Sequence, residues 1–326
     1  MIFLNILLLV IGMVLLIKGA DFFVDGSSKI ARALKISPLI IGLTLVSIGT
    51  SLPELSVSVN SAIHNLGDMS FGNVIGSNIF NVLVVIGACS LFIPMVADKM
   101  VIKCDLPILI GIYALLFLFA FGITPNVLDL TESIIIFALF IAYITFLIIR
   151  GFKGNKNNET QEEEEKKSKR KWYINVLFII VGLAGIIGGG ELVVNSAKEI
   201  ALSLGMSELL VALTIVAVGT SLPELVTSIV AAKKGENDIA IGNAIGSCVF
   251  NVLLILGISS MIRPIKVADS SIVDMIVMLV SVVIVFAFSF KTQRIGRKIG
   301  IILLIIYILY LTYIILRNIY PSVFSF

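Results

Sequence analysis

The heptapeptide GTSLPEL occupies residues 49–55 and returns, letter for letter, at residues 219–225. Each copy sets a proline and a glutamate inside a long apolar run. Pro53 and Pro223 have no N–H to give to a helix, and each ring clashes with the carbonyl four residues earlier, at Gly49 and Gly219. Carbonyl oxygens near Ser47 to Gly49 and Ala217 to Gly219 are thereby released from the helical ladder. Ser47, Thr50, Ser51 and Glu54 follow the i, i+3, i+4, i+7 spacing of one helical face, as do Ala217, Thr220, Ser221 and Glu224. Each copy therefore gathers hydroxyls, freed carbonyls and a carboxylate on one stripe.

The surroundings are those of a membrane protein. Of the 326 residues, 58% are hydrophobic and 14% charged, and the mean hydropathy is +1.10; soluble domains carry roughly a quarter charged residues. Apolar runs of the ~20 residues that a helical span needs recur along nearly the whole chain. A net charge of +3 gives no reason to expect a nucleic-acid partner. The opening MIFLNILLLVIGMVLLIKGADFF lacks a basic leader and exceeds a signal peptide's apolar core, so it reads as a retained first span. Cys89, Cys104 and Cys248 are too scattered for a metal site or a disulfide framework, which leaves packing.

The offset of 170 residues that superposes the two heptapeptides also pairs GNVIGSNIFNVL (72–83) with GNAIGSCVFNVL (242–253). More weakly, it pairs GADFFVDGSSKIARAL (19–34) with GGELVVNSAKEIALSL (189–204). One gapless shift aligning three blocks marks an internal duplication. The first copy contains five apolar spans, at about 2–24, 36–62, 70–96, 104–124 and 130–150. The second repeats them at about 173–195, 206–232, 240–262, 270–290 and 298–318. The expected organisation is a first repeat over 1–151, a polar linker over 152–171 and a second repeat over 172–326.

Five spans per repeat force the second copy into the bilayer from the opposite side. With the linker cytoplasmic and Met1 outside, the inner loops hold Lys29, Arg32, Lys35, Lys99, Lys103, Lys233, Lys234, Lys291, Arg294, Arg297 and Lys298. The outer loops hold Lys198, Arg263 and Lys266, with Arg317 near the C-terminus. That imbalance fits the positive-inside rule. The expected fold class is an all-α polytopic membrane protein: ten transmembrane helices in two inverted-topology five-helix repeats, with broken helices 2 and 7.

An acidic side chain at a helix centre costs about 2.5–3.5 kcal/mol even on the lenient insertion scale. A proline kink with back-bonded hydroxyls explains one such motif, but not two glutamates with the same polar neighbours. Hard cations do explain them: calcium takes about 6–8 oxygen ligands from carboxylates, carbonyls and hydroxyls. The second block adds Asn73, Ser77 and Asn81, and their counterparts Asn243, Ser247 and Asn251. Its glycines at 72, 76, 242 and 246 allow close helix approach. Four polar stripes converging at mid-membrane suit a secondary transporter built from broken helices.

GTSLPE in the second span and GNxIGSxxxN in the third, present in both halves, resemble the alpha repeats of the cation/calcium exchanger superfamily, most closely its sodium/calcium exchanger branch. The likeness covers essentially the whole chain. It implies exchange of sodium for calcium by alternating access, with no enzymatic activity and no resident cofactor; Ca²⁺ and Na⁺ are transported cargo. It places carboxylate ligands on Glu54 and Glu224 and hydroxyl ligands on Thr50, Ser51, Ser77, Thr220, Ser221 and Ser247. It places backbone carbonyl ligands on Ser47 and Ala217, and central polar positions on Asn81 and Asn251. Some relatives, notably potassium-dependent exchangers, carry aspartate where Asn251 stands. Asparagine at both positions leaves two formal negative charges, enough to neutralise one calcium ion. Three sodium ions for one calcium would move one net charge per cycle, about 2.3 kcal/mol per 100 mV.

The remaining expectations are a cell-membrane location, function as a monomer, and partners limited to the two ions and the bilayer. A proton/calcium exchanger of the same fold and a glutamate-lined cation channel are the competing readings. Asp21, Asp25 and Glu191 read as interfacial, His64 as solvated, and the run QEEEEKKSKRK as a tether. Spans one and six, rich in glycine, are expected to slide against the other eight.

Overall fold

The computed structural model describes residues 2–96, 98–154, 172–206, 211, 214–215 and 217–320. Most of the linker expected at 152–171, and part of the seventh expected span at 206–232, lie outside the described residues. Helices dominate. Among the described residues, eight are long and apolar enough to cross a bilayer: α1 (Ile2–Leu34), α4 (Gly67–Phe92), α5 (Val101–Ile123), α6 (Leu130–Phe152), α7 (Trp172–Ser203), α10 (Asn237–Ile262), α11 (Ser271–Thr292) and α12 (Arg297–Ile319). A ninth crossing is broken: α2 (Pro38–Thr50) meets α3 (Leu52–Ile63) at a 50° bend. The second copy's equivalent is seen as α8 (Ala217–Gly219) and α9 (Leu222–Lys233).

Burial ranks the helices. In α4 and α10, which carry the GNxIGSxxxN blocks, 78% of the most apolar window is buried, against 17% in α1 and α12. The duplicated motif helices therefore form the centre, and lipid-facing Leu, Ile and Phe cover the periphery. The half-helix α2 lies across α10, whose Gly242 would, with a Cβ, meet the Leu39 carbonyl at 2.7 Å. Outside this centre α5 packs on α11, α6 on the C-terminal turns of α10, and α12 on those of α4.

α1 and α7 pair along almost their full lengths on one flank. A Cβ on Gly19 would meet the Gly182 carbonyl at 2.7 Å, one on Gly26 the Asn175 carbonyl at 2.7 Å, and one on Gly189 the Gly12 carbonyl at 2.8 Å. The helices run antiparallel, touching backbone to backbone every seventh residue. This corrects the expected spans of 2–24 and 173–195, since α1 continues to Leu34 and α7 to Ser203. Beyond the expected end of the first span, Gly26, Ser27 and Ser28 remain helical and buried, and Gly26 sits at this seam, where its small size serves close packing.

Two features have no hydropathy signature. Five-residue π-helical stretches interrupt α2 at Gly42–Val46 and α4 at Asn81–Val85, and a six-residue stretch interrupts α10 at Asn251–Leu256. Two short antiparallel ribbons also join the copies. Strand β1 (Met95–Val96) pairs with β4 (Arg294–Ile295), and β2 (Val127–Leu128) with β3 (Ile265–Lys266). Since β1 precedes α5 and β2 follows it, the ribbons lie at opposite ends of the bundle. Ion pairs tie α1 to the turn before α10: Arg32 to Glu236 at 2.6 Å, and Lys234 to Asp25 at 2.7 Å and Asp21 at 3.2 Å. Two shielded pairs, Arg150–Asp105 at 2.6 Å and Arg317–Asp274 at 3.1 Å, tie α6 to α5 and α12 to α11.

Candidate ion-binding site

Proline decides the local geometry. The first break falls at Ser51 (φ −86°, ψ 8°), so the stripe from Ser47 to Glu54 is not one continuous helical face. Pro53 occupies the first turn of α3, where its missing N–H is not needed, and Glu54 follows in the same turn. The second copy breaks at Ser221 (φ −94°, ψ 6°), with Pro223 and Glu224 in the first turn of α9. Each carboxylate thus stands at a helix N-terminus inside the protein, where the free N–H groups and the helix dipole favour negative charge.

The two copies then cross. Ser51 Oγ donates to Glu224 Oε1 at 2.9 Å, and Ser221 Oγ donates to Glu54 Oε1 at 3.1 Å. Both glutamates are 0% exposed. Ser77 stands beside Glu54, and Ser247 and Thr50 beside Glu224. Each carboxylate has one oxygen held by a serine of the opposite copy, while Oε2 of both has no protein partner. The same is true of the Ser77, Ser247 and Thr220 hydroxyls, of both amide atoms of Asn81, and of Asn251 Oδ1. An unpaired buried polar group costs about 1–3 kcal/mol, more when charged. Eight such atoms, seven oxygens and one amide nitrogen, lie on residues of the two duplicated motifs, and the oxygens are of the hard type that can replace water around a cation.

The carbonyl positions are less symmetrical than expected. Ser47 O accepts the Ser51 N–H at 3.0 Å and also has the Thr50 hydroxyl at 3.4 Å, which leaves it less open to a cation than a released carbonyl. In the second copy the Ser221 N–H turns to Val218 O at 3.2 Å, and Ala217 lies one helical turn before the break. The Ser47 hydroxyl donates to Gly42 O at 2.5 Å and faces the α10 backbone, 3.3 Å from Gly242 O. Thr50 Oγ1 lies 3.1 Å from Val46 O and 3.0 Å from Asn243 Oδ1.

Asn73 and Asn243, noted in the sequence only as stripe members, hold the half-helices in place. Asn73 Nδ2 donates to Glu54 O at 3.3 Å and Ser58 Oγ at 3.0 Å; Asn243 Nδ2 donates to Glu224 O at 3.3 Å and Ser228 Oγ at 2.9 Å. Ser58 and Ser228 went unread, although they match under the offset of 170 and sit four residues after each glutamate. Asn78 also went unread. It differs from its counterpart Cys248 in an otherwise well-matched block, and that mismatch was the available signal. His64 is exposed at the end of α3, and Asp21 and Asp25 take part in the pairs with Lys234.

The sequence profile described as "Sodium/calcium exchanger protein" matches residues 4–149 and 174–316. The chain belongs to this exchanger family. Among its relatives, the sodium/calcium exchanger MaX1 of Methanosarcina acetivorans is 36% identical over 344 residues, 95% of this chain and 98% of that protein. The inner membrane protein YrbG of Escherichia coli is 34% identical over 311 residues, 91% and 92% of the two chains. A solved structure of the sodium-calcium exchanger NCX_Mj, soaked with 10 mM Na⁺ and zero Ca²⁺, superposes with a TM-score of 0.83 at 31% identity, covering 96% of this chain and 99% of that one. This exchanger is therefore an integral membrane protein of a transporter family, with the exchanger fold over nearly its whole length.

Proposed function

We propose that this exchanger is a secondary antiporter that moves calcium against sodium by alternating access. The observation that carries the reading is the reciprocal pair Ser51–Glu224 and Ser221–Glu54, with one oxygen of each buried carboxylate left free. Two carboxylates match the charge of one calcium ion, and the surrounding hydroxyls and amides supply neutral donors. In this reading Glu54, Glu224, Thr50, Ser51, Ser77, Thr220, Ser221, Ser247, Asn81 and Asn251 ligate the cargo through side chains, and Ser47 and Ala217 through carbonyls. Sodium and calcium compete for overlapping oxygens. An empty cage leaves two like charges uncompensated, which disfavours occlusion and couples the two fluxes.

The organisation proposed with it is ten helices in two inverted repeats, 1–151 and 172–326, joined by a cytoplasmic linker over 152–171. The N-terminus is outside, the membrane is the cell membrane, and the working unit is a monomer. The name of MaX1 and the fold of NCX_Mj support sodium as the counter-ion. Radioactive calcium uptake into sealed proteoliposomes tests this. An outward sodium gradient is expected to drive uptake that a matched pH gradient does not. The reverse outcome makes the protein a proton/calcium exchanger, and uptake indifferent to both gradients makes it a channel. Glu54→Gln and Glu224→Gln are each expected to abolish exchange; wild-type rates in either variant would remove that residue from the site.

A further inference from the structure

The two central asparagines are not equivalent, because the residues three positions before them differ: Asn78 precedes Asn81, and Cys248 precedes Asn251. Asn78 sits on α4, fully buried, and reaches across to α10. Its Nδ2 lies 3.3 Å from the Cys248 carbonyl oxygen and 3.8 Å from Met278 Sδ. Neither atom carries a proton, so both can only accept. The NH₂ end of Asn78 must therefore face them, and Oδ1 must face the other way. There it meets Asn251 Nδ2 at 3.0 Å. Because Oδ1 can only accept, Asn251 has to present its own NH₂ to it. The chain of necessity ends at Asn251 Oδ1, which is buried, unpartnered and turned away from Asn78.

A main-chain carbonyl thus fixes both amide orientations, without any need to tell oxygen from nitrogen at either side chain. The other copy has no such chain. At the position equivalent to Asn78 stands the Cys248 thiol, 3.8 Å from the Asn78 carbonyl and beside the Asn81 amide; a thiol both donates and accepts, weakly, so it fixes neither end of that amide.

We infer that Asn78 is a positioning residue that locks Asn251 as an oxygen donor to the transported cation, while Asn81 is free to present either end of its amide. The inference rests on the proposed function and deepens it by giving the two copies different duties in one cage. It also explains how an uncharged residue serves at position 251. With Asn78 in place, the asparagine behaves towards a cation as a carbonyl of fixed aim.

The test measures equilibrium binding of radioactive calcium to the purified full-length protein in sodium-free detergent solution. Asn78→Leu is near-isosteric and removes the acceptor that orients Asn251. Residues that orient metal ligands typically contribute ~10–100-fold to affinity, and a rise in calcium Kd of ~10-fold is expected. Asn78→Ala, which adds no bulk, is expected to do the same and guards against misfolding of the leucine variant. The distinguishing readout is the background. Added to Asn251→Ala, Asn78→Leu is expected to cost nothing further, since no ligand remains to be aimed. Added to Asn251→Asp, it is again expected to cost nothing, because either carboxylate oxygen can face the ion. An equal loss in all three backgrounds would reveal a packing role and overturn the inference, as would an unchanged Kd in the otherwise wild-type protein. A folded wild-type protein that binds no calcium would overturn the functional reading and this inference with it.

Discussion

At the scale of single residues, the site is defined by what its polar atoms lack. Most buried polar groups in proteins find partners, yet eight of the eighteen buried side-chain atoms left unpaired among the described residues belong to Glu54, Glu224, Ser77, Ser247, Asn81, Asn251 and Thr220. Asn243 is the opposite case, satisfied on every side by Glu224 O, Ser228 and Thr50. Asn243→Ala removes the donor that braces the Glu224 carbonyl and the Ser228 hydroxyl in the interior, and is expected to destabilise the protein by about 1–3 kcal/mol. Thermal unfolding in detergent checks this; an unchanged midpoint would contradict the network drawn here. The polar residues of the candidate site stood out because duplication printed them twice. Ser58, Ser228 and Asn78 were not, since a serine or asparagine within an apolar helix reads alike whether it braces a backbone or faces an ion.

At the scale of elements, helix identity was legible and helix shape was not. Hydropathy located the crossings because lipid demands apolar length. It could not show that α1 runs on to Leu34 and α7 to Ser203, because those extra turns are polar. Nor could it place the π-helical stretches at Asn81 and Asn251, whose residues carry no local signal. The glycine seam makes a sharper prediction. A methyl on Gly19 or Gly182 would collide with backbone atoms of the opposite helix at 2.7 Å or closer, whereas one on Gly188 meets nothing within 4 Å. Gly19→Ala and Gly182→Ala are expected to destabilise by about 1–3 kcal/mol through overpacking and to slow exchange. Gly188→Ala is expected to be neutral, or to stabilise by about 0.5–1 kcal/mol through helix propensity. Unfolding midpoints and flux measured on the three variants decide the matter; equal behaviour would show that the close approach has no energetic weight.

For the whole molecule, the proposed cycle asks α1 and α7 to move together past the other helices. Arg32–Glu236 and Lys234–Asp25 join the mobile pair to the turn ahead of α10 and must part at some stage. Partly exposed pairs of this kind contribute little, roughly 0–1 kcal/mol each, so they can serve as a catch without preventing motion. Cysteines at 25 and 234, bridged by a short bifunctional thiol reagent, are expected to stop exchange while leaving calcium binding in place. Full flux after bridging would refute the sliding scheme. An inverted plan is what the odd number of spans per copy implies, and the duplication behind it was readable from the sequence. The contacts between copies were not, because two-residue strands in loops have no signature in hydropathy.

Those ribbons limit how the machine can work. β1–β4 and β2–β3 each lash one copy to the other, and they do so at the two ends of α5, about 35 Å apart at about 1.5 Å of rise per residue. Staves bound by a hoop above and a hoop below cannot swing apart like a clamshell. In the proposed cycle such a carrier opens by letting loose boards travel along the outside of the cask, and among the described residues α1 and α7 carry no ribbon strand at either end.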